Sequence, residues 1–195
     1  DLKVPSSRTA VAQGIEAARL LATPVDRDDP PTDGDAVSAR TYLLGAIAST
    51  DSNLRGQAAV AIASLPGRDE SAVTLQQALA RETDANVRLS IARALMRLSG
   101  SEAVALEALH ALVANDHTMP GLQAAALLAE SHDPAAITRL DAALIEPDAS
   151  LRRVAARALA RDAMLPGHVA GALSDSDPEV RIAAAGGILA AHAAD

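Results

Sequence analysis

Along most of the chain, apolar residues return at intervals of three and four positions, the period at which one face of an α-helix is buried. Short polar stretches carrying Asp, Ser, Gly or Pro separate these blocks. The pattern predicts paired helices over 35–49 and 52–65, 69–81 and 85–98, 101–114 and 118–130, 133–145 and 149–163, and a short 166–173 with 178–192. Residues 6–22 predict one more helix ahead of them, with Ser6 or Ser7 as cap and Val11, Ile15, Ala18 and Leu21 on one side. Between it and the first pair, residues 23–34 carry Pro24, Pro30, Pro31, Asp26, Asp28, Asp29 and Asp33 and read as an acidic, proline-broken loop. Gly67 and Gly100 stand where a preceding helix should end. Asp133 before Pro134 and Asp177 before Pro178 place a capping carboxylate ahead of a proline in the first turn, where the missing N–H costs nothing.

The pairs repeat. Asp51, Asp84, Asp116, Asp148 and Asp177 each open a second helix, at spacings of 33, 32, 32 and 29 residues. Three residues after each aspartate stand Leu54, Val87, Met119, Leu151 and Val180, and eight after stand Ala59, Ala92, Ala124, Ala156 and Ala185. Eleven after stand Ile62, Leu95, Leu127, Leu159 and Ile188, which completes one apolar stripe per second helix. A hairpin of about 30 residues cannot bury such a stripe alone, so successive hairpins are expected to stack into a continuous core. Four of the five copies also carry an arginine four residues after the aspartate: Arg55, Arg88, Arg152 and Arg181.

In residues 50–191 this pattern resembles the HEAT-like repeats of the phycobilisome-lyase type. Asp84-Ala85-Asn86-Val87-Arg88, Asp148-Ala149-Ser150-Leu151-Arg152 and Asp177-Pro178-Glu179-Val180-Arg181 match its Asp, two variable residues, Val or Leu, Arg motif, as does Asp51 to Arg55. The resemblance implies an all-α fold: a right-handed α-solenoid of about five helical hairpins, preceded by the N-terminal helix, in a single domain over 1–195. It transfers shape rather than activity, because the family spans lyases, hydroxylases and plain scaffolds.

A cation in the first turn of a helix opposes the helix dipole by a few tenths to about 1 kcal/mol, so a repeated arginine there calls for a carboxylate. The anchor aspartates are the expected partners, in a structural ladder of Asp51, Arg55, Asp84, Arg88, Asp148, Arg152, Asp177 and Arg181. The resemblance implies the same role between repeats. The third repeat departs, with Pro120 in place of arginine and Gly121 after it. This is either a tolerated irregularity that delays or bends the helix or a local opening through which a partner enters. The 29-residue spacing before Asp177, at Leu165-Pro166-Gly167, suits a shortened helix in a terminal repeat.

A second arginine set lies nine and thirteen residues after the anchor: Arg93 and Arg97, then Arg157 and Arg161, with Arg153 nearby. The third repeat offers Ala125 and Ala129 at those places. In a solenoid whose second helices line the concave side, two basic ridges roughly 20 Å apart would flank an alanine-floored trough. Such a trough suits a peptide or an acidic helix, with Leu89, Leu122 and Val154 adding apolar contact. The competing expectation is that these arginines are solvated or pair with acids such as Asp162.

Composition narrows the function classes. There is no Phe or Trp and one Tyr, so stacking platforms for bases, flat cofactors or sugars are nearly absent. A net charge of -8 argues against nucleic acid and anionic membranes as general partners. Absence of cysteine excludes disulfides and thiolate chemistry and leaves the compartment open, with a slight preference for the cytoplasm. No apolar run reaches the length of about 18 residues that a spanning helix needs. A chain opening at Asp1 without Met or signal segment reads as a processed protein or an excised domain.

No metal, cofactor or catalytic residue is expected. The acidic loop lacks the ligand spacing of a calcium hand, and none of His110, His117, His132, His168 and His192 belongs to a His-Glu pair. His132 with Glu130 and Asp133 is the one local cluster. The leading expectation is a non-enzymatic scaffold that binds an acidic or extended protein or peptide through Arg93, Arg97, Arg153, Arg157, Arg161, Leu89 and Leu122. The alternative is a chromophore-lyase-like or other ligand-binding accessory, which requires a deep pocket with convergent polar groups. A third class, repeat-built DNA glycosylases, requires basic faces on several adjacent repeats.

Overall fold

A computed structural model of the protein describes residues 14–15, 33–65, 67–161 and 166–192, and all regular structure among them is helical. The helices are α1 (Asp33–Ala46), α2 (Ser52–Ile62), α3 (Arg68–Arg81), α4 (Ala85–Leu95), α5 (Glu102–Asn115), α6 (Met119–Ala129), α7 (Pro134–Ala143), α8 (Ala149–Ala160), α9 (Pro166–Val169) and α10 (Pro178–His192). A 3-10 turn, Gly171–Ser174, joins α9 to α10. The helix expected over 6–22 lies outside the described residues except for Gly14 and Ile15, which are helical, and the acidic loop lies outside them up to residue 32. Asp33 and Gly34, expected in that loop, already belong to α1.

The aspartate anchors explain where four second helices begin. Asp51 accepts from the Asn53 N–H, Asp84 from Asn86 and Val87, Asp148 from Ser150, and Asp177 from Glu179 and Val180. Each satisfies first-turn donors that have no partner within the helix, so α2, α4, α8 and α10 each start one residue after their anchor. Gly67 and Gly100 lie past the helix ends, in the links between hairpins, at φ 79° and 81°. A side chain is strained in that left-handed backbone, which is why glycine holds both positions.

Packing divides the chain into two compact units, residues 1–108 and 109–195. In the first, α1 pairs with α2 and α3 with α4, while α2 also lies against α4. Tyr42, Leu43, Ile62, Leu75, Ile91 and Leu95 form its buried interior. The phenol of Tyr42 fills the space where a side chain on Gly14 would stand. In the second, α6 pairs with α7 and α7 with α8, and α8 packs against both α6 and α10. Leu109, Leu122, Leu140, Leu159, Val169 and Val180 are buried there.

Within each unit, second helix therefore rests on second helix, as the apolar stripe requires. Close approaches mark these contacts: Gly56 of α2 faces Ser90 of α4, and Ala160 near the end of α8 lies against Gly187 of α10. A Cβ at Gly187 would come within 2.5 Å of the Ala160 methyl, so the two backbones are as close as they are because glycine is there.

Candidate functional site

The ladder arginines bind, but not to the anchors. Arg55 grips Glu82 through Nε and Nη2 at 2.7 and 2.9 Å, and its Nη1 donates to the carbonyls of Ser49 and Thr50. Arg152 does the same with Asp175, at 2.9 and 3.0 Å, and with the carbonyls of Glu146 and Pro147. Arg181 reaches the carbonyls of Asp175 and Ser176, and Arg88 those of Glu82 and Leu79. The constant part is thus the carbonyl clamp on the turn just ahead of the arginine's own helix. The carboxylate, where there is one, stands two residues before the next anchor.

The expected anchor partnership is corrected because each of the four anchor carboxylates is already aimed at its own helix N–H groups. The dipole penalty is offset in two ways: the guanidinium sits at the end of one helix's negative pole as well as the start of another's positive pole, and two of the four arginines also gain a bidentate carboxylate. Glu82 in addition accepts from the Thr83 and Asp84 N–H groups, and Asp175 from Asp177. The Arg55 hydrogen bond holds the Glu82 carboxyl below its ordinary value. Arg152, aided by the Asp177 N–H, holds Asp175 down to about 2.

In the third repeat the chain solves the same turn differently. Asp116 accepts from the Thr118 N–H at 2.7 Å and the Thr118 hydroxyl at 2.6 Å, and α6 begins at Met119, three residues after the anchor rather than one. Arg139 of α7 donates to the His117 carbonyl at 3.0 Å, a clamp on this turn delivered from the other side. Pro120 and Gly121 are buried, and a Cβ on Gly121 would overlap the Asp116 carbonyl oxygen. The alternative of an opening for a partner is therefore overturned: the Pro-Gly pair seals the turn.

The late start rotates α6 by one residue relative to its siblings. Its buried positions are Pro120, Gly121, Leu122, Ala124, Ala125, Leu128 and Ala129, while Met119 and Leu127 are half-buried and Gln123 is exposed. Ala125 and Ala129 are core residues and floor no trough. Leu122 at 0% and Leu89 at 4% exposure are buried too, so neither can touch a partner, as the sequence reading expected of them. The α6 residues in phase with Arg93 and Arg97 are Ala126 and Glu130, half-buried and exposed.

Arg93, Arg97, Arg153, Arg157 and Arg161 are all exposed. Arg93 and Arg97 belong to the first unit, the other three to the second. Arg153 pairs with Glu179. Among the described residues Arg93, Arg97, Arg157 and Arg161 meet no carboxylate; Asp162 lies outside them.

Between α8 and α10 runs an open furrow of about 710 Å³. Arg153, Val154, Arg157 and Arg161 form one wall, and Glu179, Ile182, Ala183, Gly186, Gly187 and Ala190 the other. The corresponding furrow between α2 and α4, about 520 Å³, is lined instead by uncharged polar groups such as Asn53, Gln57, Asn86 and Ser90. Sequence reading placed the arginines but missed the furrow, whose signal was the Ala-Ala-Gly-Gly run at 184–187.

Two histidines are each engaged by a single aspartate. His110 Nε2 lies 2.9 Å from Asp133, which also caps Ala136, and His168 Nδ1 lies 2.7 Å from Asp141. His132 is exposed in a left-handed turn at φ 57°. Among the described residues no group of three or more His, Asp or Glu side chains could hold a metal ion, and no helix is long and apolar enough to cross a membrane.

No family model matches the chain, and no curated protein matches it. Among solved structures it is similar to an engineered protein determined by a structural genomics consortium, with 18% identity over 97% of this chain and 95% of that one and a TM-score of 0.47.

Proposed function

We propose that the chain is a HEAT-like, non-enzymatic interaction module that takes an acidic partner on the arginine-bearing faces of its second helices. The recurrent Asp-x-x-Val/Leu-Arg motif and the lateral packing of second helices within each unit support the repeat assignment. One observation carries the binding assignment. In a protein of net charge -8, Arg93, Arg97, Arg157 and Arg161 stay exposed without a carboxylate among the described residues, while Arg55 and Arg152 are bidentately paired. Unpaired exposed guanidinium groups are ready for charge-assisted contacts that a paired one has already made. Poly-L-glutamate tests this. Wild-type protein binds it and releases it as salt rises, and the fourfold Arg93→Glu, Arg97→Glu, Arg157→Glu, Arg161→Glu variant keeps its helical circular dichroism but loses the binding. Equal binding by the variant would sink the assignment.

A further inference from the structure

The furrow between α8 and α10 has two chemically different walls. Along α8, Arg153, Arg157 and Arg161 stand four residues apart, so their Cα atoms step by about 6 Å along the helix. Along α10, past Glu179 at the Arg153 end, Ile182, Ala183, Gly186 and Ala190 present apolar or bare surface, and Ile182 is 70% exposed. No atom lies within 4 Å of a Cβ added at Gly186, so the furrow is open at its middle. Arg153 is held by Glu179, which leaves Arg157 and Arg161 as its available charges.

We propose that this furrow seats an amphipathic helix of a partner protein. Its acidic residues, four apart along one edge, would face Arg157 and Arg161, and its aliphatic face would lie on Ile182, Ala183 and Gly186. The proposal rests on the reading above, that these arginines serve an acidic partner, and adds the partner's conformation and its second, apolar face. Charge complementarity selects the acidic edge. Two features select a helix over an extended strand. Beyond Glu179, which Arg153 engages, the α10 wall offers no side-chain donor or acceptor, and a helix satisfies its own backbone where a strand would leave its N–H and C=O groups unmet. A helix laid along α8 also shares its rise, so acids four apart stay opposite arginines four apart. Alternate residues of a strand step by about 6.6–6.8 Å and drift out of register.

The test uses the whole chain and four labelled peptides of about 20 residues, long enough for helix to form. The first carries Glu every fourth position on one edge and Leu and Ala on the adjoining face; the second moves the Glu residues to the opposite face. The third alternates Glu and Val, and the fourth is all Glu. Fluorescence anisotropy reads binding, and circular dichroism reads helix gained on binding.

The first peptide should bind with a gain of helix and at least about tenfold more tightly than the other three. Arg157→Glu with Arg161→Glu should weaken it by about tenfold or more. Gly186→Leu should do the same while leaving the all-Glu peptide unaffected; leucine favours helix over glycine and its Cβ has open space there, and an unchanged helical circular dichroism spectrum checks that the fold is kept. The proposal is overturned if Gly186→Leu leaves the first peptide's binding unchanged, or if the first and fourth peptides bind alike. In either case retained, arginine-dependent binding of the all-Glu peptide leaves the broader reading standing. Tighter binding of the alternating peptide overturns the helix, and failure of all four peptides overturns both readings. Self-association that Gly186→Leu abolishes would assign the furrow to a second copy of this chain instead.

Discussion

The turns ahead of α4 and α6 hold the same place in the repeat and are built in opposite ways. Before α4, Asp84 caps the helix at once, and Arg88 reaches back to the carbonyls of the preceding turn. Before α6, Asp116 spends its carboxylate on Thr118, the helix waits for Met119, and Arg139 clamps the turn from α7. A two-residue delay in the start produces a one-residue rotation of the buried face. A repeat is therefore defined by where its helix begins, and alignment on the anchor fails where the anchor does not cap.

The largest effect that can break this comparison is at Leu122 and Leu127. Alignment on the anchor makes Leu127 the core residue and Leu122 a surface one, whereas the structure buries Leu122 completely and leaves Leu127 half-buried. Leu122→Ala is expected to cost about 2–5 kcal/mol in urea unfolding, and Leu127→Ala about 1 kcal/mol. The reverse order would show that α6 keeps the phase of its siblings.

A smaller effect distinguishes a paired rung from an unpaired one. Arg55→Ala leaves the Glu82 side chain, only 7% exposed, without its bidentate donor and should cost about 1.5–3 kcal/mol. Arg93→Ala, at an exposed site, should stay within about 0.5 kcal/mol. A double-mutant cycle of Arg55 with Glu82 should show coupling of at least about 0.5 kcal/mol, and zero coupling would reduce the pair to carbonyl clamping alone.

The subtlest effect is one of pH. Arg152 holds Asp175 at about 2 in the folded state against an ordinary 3.8, so between these values the unfolded chain binds a proton that the folded chain does not. The stabilisation is complete above about pH 4 and is lost as pH falls toward 2. Asp175→Asn should flatten that acid limb of the stability profile; a limb of unchanged steepness would place its origin elsewhere.

Much of this was legible from residues alone. Helix positions were readable because Asp51, Asp84, Asp148 and Asp177 cap locally, and capping is a short-range act. The arginine partners were not, because they lie 27 and 23 residues away, on a neighbouring rung. A signal existed: Glu82, Glu146 and Asp175 each stand two residues before an anchor. It was obscured because Ala114 holds that place for the third anchor, while the repeat ahead of Glu146 has Pro120 in place of arginine. The rotation of α6 was unreadable for a related reason. Pro120 announces that something changes, but the amount of rotation is set by Gly121 fitting under the Asp116 carbonyl, a contact in three dimensions. The exposure of Arg93, Arg97, Arg157 and Arg161 was readable, since charge without a nearby acid is visible in one dimension, whereas the pairing of Arg153 with Glu179 was not, and Leu89 and Leu122 were misplaced as surface contacts.

Glu82 is a messenger as well as a brace. One carboxylate holds the side chain of Arg55 on α2 and, through the Thr83 and Asp84 amides, the entrance to α4. Whatever pulls Arg55 away, whether a competing anion or a shift of α2, also removes a brace from the turn of the next hairpin, where α4 starts. Rungs joined this way pass a disturbance to their neighbour, and a rung such as Arg88, whose clamp ends on carbonyls, lets the message stop.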